Sequence, residues 1–189
     1  MTNNMPTLKE LNDLRDEAYE NAKSHGFHDE DHSKEHYLCL VLTELMESVE
    51  ADRKARYCAF DLNEVDLIED DADYIAIFEQ NVKDTVEDEI ADTAIRLFDY
   101  AGLYSCDMSP FKDYQVLDIY YEKDPLKHTA TSFTEVAFDI AKDIMNYETI
   151  YALYELFAWA YIIGFDLTTH IKLKMRYNSF RERMHGKRY

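Results

Sequence analysis

The chain has 189 residues, enough to bury a core in a single domain without disulfide staples. Apolar residues make up 47% and charged residues 31%, which excludes a disordered chain, and 4 Gly with 3 Pro are too few for a turn-rich sandwich or barrel. The net charge of −19 speaks against a surface for duplex nucleic acid, although residues 168–189 carry +6 and leave −25 on the rest.

Taken in chain order, Thr7-Leu8-Lys9-Glu10 reads as a capping box opening a helix that runs to about Gly26. The stretch FHDEDHSKEH reads as a loop ending at Ser33, the N-cap of a long helix over 34–58. His28, His32 and His36 are four apart, but Gly26, Asp29 and Ser33 break the shared helical face that a metal site would need. Residues 60–84 are acidic and irregular, with a short helix expected around 72–80. A strong helix follows from about Thr85 to Gly102. Residues 103–130, rich in Tyr and Asp, read as a connection. Helical pattern returns over 132–164 with a break near Asn146, and a last helix opens at Asp166 and is expected to end near Gly186. The expectation is an all-α helical bundle forming one domain over 1–189, with elaborations at 60–84 and 103–130.

The three cysteines are widely spaced and define neither a disulfide framework nor a zinc pair; Cys39 and Cys58 are expected to be buried thiols. No secretory signal is visible in MTNNMPTLKELNDL, and the longest apolar run, 156–165, is half of a membrane span. A cytoplasmic protein without membrane or nucleic-acid partners is expected.

Two carboxylate pairs carry the chemical interest. Glu44 and Glu47, and Glu89 and Asp92, are each three residues apart, so each pair shares one helix face. Two such helices facing one another would gather four carboxylates, a ligand set suited to hard divalent cations. On the first helix Leu38, Val41, Leu42, Leu45 and Val49 form the main apolar stripe. The opposite side holds the two glutamates among Tyr37, Leu40, Ala51, Ala55 and Cys58, so the glutamates lie inside a contact rather than on a solvated face. The second pair is less distinctive, because Arg96 four residues after Asp92 serves equally as an intrahelical ion partner. On the last helix Lys174, Asn178, Arg181 and His185 follow a 4-3-4 spacing, a stripe of donors suited to polyphosphate. Arg183 and Lys187 fall off or beyond that stripe.

Three segments together, LTELMESVEADRKAR, EDEIADTAIRLFDYAG and DLTTHIKLKMRYNSFRERMHGKRY, resemble the MazG-like nucleoside triphosphate pyrophosphohydrolases of the all-α NTP pyrophosphatase superfamily, which also contains the dimeric dUTPases. The resemblance implies a nucleotide pyrophosphohydrolase that converts a (d)NTP or related nucleotide to the monophosphate and pyrophosphate. It implies Mg²⁺, or Mn²⁺ in its place, on Glu44, Glu47, Glu89 and Asp92, with Glu47 as the base. It also implies phosphate binding by Lys174, Asn178 and Arg181, and a homodimer or dimer of dimers. Phe27, Tyr37 and Trp159 are candidates for stacking on the base. The spacing of 41 residues between Glu47 and Glu89 is longer than in compact members. The competing class is a non-catalytic acidic helical protein that binds a basic partner.

Overall fold

The computed structural model describes residues 5–59, 64–65, 67–113 and 133–188, and no strand occurs among them. The α-helices are α1 (Leu8–Ser24), α2 (Lys34–Arg53), α3 (Asp71–Asn81), α4 (Val86–Leu103), α5 (Phe133–Met145), α6 (Thr149–Ile163) and α7 (Leu167–Ser179), followed by a 3₁₀ turn at Arg183–Gly186. The all-α expectation is therefore met. Most of the connection expected over 103–130 lies outside the described residues.

Helix starts follow from side chains that satisfy the orphan backbone donors. Thr7 and Glu10 form the reciprocal capping box of α1. Ser33, Asp70, Thr85 and Asp166 cap α2, α3, α4 and α7 with a side-chain oxygen that accepts from a backbone N–H of the first turn. The ends differ more from expectation. α2 stops at Arg53, not near Cys58: the chain turns through Ala55 at φ 53°, Ala55 N–H donates to Asp52 O and Arg56 N–H to Ala51 O. That is a Schellman ending built on alanine instead of glycine, so no residue type marks it. α7 ends at Ser179 and not near Gly186. Met184 and His185 then take positive φ and fold the tail back, where Met184 N–H donates to His25 O at 2.8 Å.

α4 is the central helix. α1, α2, α6 and α7 all pack on it, and it is buried on most sides from Val86 to Ala101. Gly102 permits the approach of α1, since a Cβ there would stand 2.6 Å from Tyr19 Cβ. The core runs through Leu11, Val41, Leu45, Ile90, Leu97, Phe98, Ile140 and Phe157. A second cluster docks the acidic elaboration: α3 lays Tyr74 and Phe78 against Leu173 and Tyr177 of α7, with Phe78 stacked on Tyr177 at 4.6 Å. After α2 the chain is tied to the start of α4, because Val86 N–H donates to Arg56 O and Cys58 N–H to Glu87 Oε2 at 2.8 Å. This tie sets Glu89 beside the carboxylates of α2.

Cys39 is exposed and Cys58 only half-buried, against the expectation of buried thiols. Cys39 follows the buried Leu38 by one residue, about 100° around α2, which carries it off the core stripe.

Candidate metal centre

Glu44 and Glu47 lie one turn apart on α2 and face Glu89 on α4. One carboxylate oxygen from each lies within 4.8 Å of the others. Glu44 and Glu89 are buried and Glu47 is exposed. Burial pushes the Glu89 carboxyl up to about 8, helped by the negative charges of Asp92 and Asp88. Burial and then Glu44 push Glu47 up as well. Three carboxylates converging side by side form a set a divalent cation would satisfy, and all the donors are hard oxygens. The residues fit such an ion.

Asp92 lies apart from that triple. It pairs with Lys174 Nζ at 2.9 Å, and Lys174 also reaches Asp88 Oδ2 at 2.7 Å. Burial opposes the charge on Lys174, but Asp92 and Asp88 outweigh it and raise the ammonium pKa. Against the upward push of burial, Lys174 likewise holds Asp92 below its usual range. Lys174 is 4% exposed and does not line the cleft beside the carboxylates. In this arrangement it is a counter-ion within the protein.

A cleft open to solvent is bounded by Glu44, Asp92, Arg96, Asp99, Asn178 and Arg181, with Lys187 and His185 from the tail. Asn178 is on α7 as expected. Arg181 lies just past its end, yet still faces the cleft. Arg96 does not pair with Asp92 in the first instance: its Nε donates to Glu44 Oε1 across the helix pair at 2.6 Å. Lys187 Nζ stands 3.9 Å from the same Glu44 oxygen. The position of Lys187 departs from the expectation that placed it beyond the phosphate-facing stripe, because the stripe assumed a helix to Gly186 and α7 ends seven residues earlier, at Ser179. His185 packs edge-on to His25 and Phe27, and burial lowers its pKa to about 3, followed by the charges of Arg181 and His25.

Of the three aromatic candidates only Phe27 lines the cleft. Trp159 is buried on α6 against Phe133, and Tyr37 packs on His28 and Tyr104. The histidine stretch is a loop, as expected. His28 Nε2 bonds Asp99 Oδ1 at 2.7 Å, and His32 stacks on His36. Asp88, Arg96, Lys187 and the His28–Asp99 pair were not singled out from sequence as parts of the site. Asp88 and Asp92 do share a helix face at i and i+4, which is the one local signal that pointed to the first of them.

No protein-family model, curated protein or solved structure matches this chain. Fold and site together define an all-helical protein with a three-glutamate cluster at the edge of a cleft lined by both cations and carboxylates. No helix among the described residues is long and apolar enough by itself to cross a membrane.

Proposed function

We propose that this protein is a metal-dependent nucleotide pyrophosphohydrolase that splits a nucleoside triphosphate into monophosphate and pyrophosphate. The carrying observation is the convergence of Glu44, Glu47 and Glu89 within 4.8 Å beside a cleft edged by Arg96, Arg181 and Lys187. An acidic triple next to three cations matches a substrate whose phosphates bridge a cation and guanidinium or ammonium groups. The resemblance of the helix motifs to MazG-like enzymes supports the same reading.

Glu44, Glu47 and Glu89 would hold Mg²⁺, with Asp92 as the fourth carboxylate at the cleft edge. When bound, the cation supplies charge neutralisation at phosphate oxygens and lowers the pKa of a bound water. Glu47 is the exposed member, which supports it as the group that takes the proton from the attacking water. Arg181 and Lys187 bind the phosphates of the leaving pyrophosphate, and the amide N–H groups of Asn178 orient the chain between them, which leaves its Oδ1 unused by phosphate. Lys174 acts one step removed: paired to Asp92, it fixes the direction of that carboxylate.

Pyrophosphate release from a panel of nucleoside triphosphates in Mg²⁺ tests the reading. Glu44→Gln and Glu47→Gln should abolish release while circular dichroism stays helical. Unchanged release in both variants would remove the metal site from the account.

A further inference from the structure

The cleft continues past the carboxylates into groups that neither a cation nor phosphates would use. Asp99 lies seven residues beyond Asp92 on α4, ~10.5 Å of helix rise, and lines the same cleft. One of its oxygens is fixed by His28 Nε2 at 2.7 Å, and the two side chains are only 14% and 7% exposed. The His28 ring is itself held beside Tyr19 at 5.2 Å and Tyr37 at 5.8 Å. The carboxylate therefore has a set direction, and an ionised carboxylate only accepts hydrogen bonds.

A second acceptor nearby is unmatched. Asn178 is 5% exposed, lines the cleft, and its Oδ1 has no hydrogen-bond partner. Phe27 lines the same cleft and offers a ring, braced edge-on by His185 at 5.1 Å. Asn21 supplies an amide whose bond to Met175 O is a long 3.5 Å, so turning to a ligand sacrifices little. A flat ring with several N–H groups on one edge would satisfy this set.

We propose that this end of the cleft is a nucleobase pocket selective for guanine, with Asp99 accepting from the base N1–H and amino group and Phe27 covering its face. This rests on the pyrophosphohydrolase reading. Uracil and thymine present an N–H flanked by two carbonyl oxygens, which would meet the Asp99 carboxylate as like charges. Adenine and cytosine offer an amino group beside a ring acceptor, so one carboxylate lone pair faces another. Hypoxanthine keeps the ring N–H and lacks the amino donor. Only guanine donates twice to one carboxylate. His28 is a positioning residue that sets the angle of the acceptor.

Calorimetric titration of the full chain in Mg²⁺ with GMP, IMP, AMP, CMP and UMP tests the pocket without turnover. GMP should bind about ten- to a hundredfold tighter than UMP, with IMP between them. Asp99→Asn should bring GMP and UMP within a few-fold, and His28→Gln should reduce the GMP preference while UMP affinity changes little. Should neither variant fold, the wild-type ranking alone decides. UMP binding as tightly as GMP, no binding by any monophosphate, or a preference untouched in both variants would overturn the proposal. Pyrophosphate release from any triphosphate keeps the hydrolase reading whatever the base ranking, and lack of release sinks that reading while the titration still decides on the pocket.

Discussion

Lys174 is enclosed by two carboxylates and the rings of Phe78 and Tyr177, so its charge has no route to water. Lys174→Met should cost about 3–5 kcal/mol in urea unfolding, because Asp88 and Asp92 are left buried without a cation. Adding Asp88→Asn to Lys174→Met should recover part of that loss, and full additivity of the two changes would contradict the pairing. His170 makes a second residue-scale prediction. It is buried on α7, edge-on to Phe165, and burial lowers its pKa to about 4. The unfolded chain binds that proton near pH 6.5 and the folded chain does not. Stability from His170 is therefore present above pH 6.5 and lost as pH falls toward 4, by up to about 3 kcal/mol. His170→Leu should flatten the acid limb of the stability curve relative to wild type, and parallel curves would show that the histidine is not held neutral.

At the scale of elements, the tail after α7 is the part that moves Lys187 to the cleft. Lys187→Ala should lower kcat/KM about tenfold for a triphosphate, through one charge-assisted contact. Arg188→Ala should cost a few-fold at most, and salt should erase its effect. Equal small effects at both positions would return Lys187 to ordinary surface charge. Helix starts were legible in the sequence because Thr7, Ser33, Thr85 and Asp166 are capping residues with a fixed chemical task. The ends of α2 and α7 were not, because Ala55, Met184 and His185 take left-handed conformations that their residue types do not announce. The three glutamates were legible for a similar local reason: spacing of three puts Glu44 with Glu47 on one face of α2 and Glu89 with Asp92 on one face of α4. Lys174 with Asp88 spans 86 residues of chain, and such a contact leaves no periodic trace. The inner partner of Asp92 could only be found once α7 was packed on α4.

For the whole molecule, α2 is covered on its inner side by α4 and α5, yet Met46 remains 45% exposed and Cys39 lies on the surface. α5 adds exposed Phe138 and Met145. Apolar groups left outward on neighbouring helices fit the symmetric oligomer that the motif resemblance implies. Light scattering at micromolar concentration should give a dimer or tetramer mass, and a Met46→Glu variant should shift it toward the monomer. A monomeric wild-type chain would contradict that assembly.

The proposed hydrolysis rests on a divalent-cation site formed by three glutamates of α2 and α4. Glu89 tests it most directly, because its carboxyl is the one pushed furthest up, to about 8, by burial and like charge. Thermal unfolding with and without millimolar Mg²⁺, on wild type and Glu89→Gln, is the measurement. Wild type should gain about 2.7 kcal/mol when Mg²⁺ stands at a hundred times its Kd. Glu89→Gln should be the more stable protein without Mg²⁺, since one mutual repulsion is gone, and should gain nothing from the ion. A wild type indifferent to Mg²⁺, or a variant that responds as wild type does, would contradict the claim.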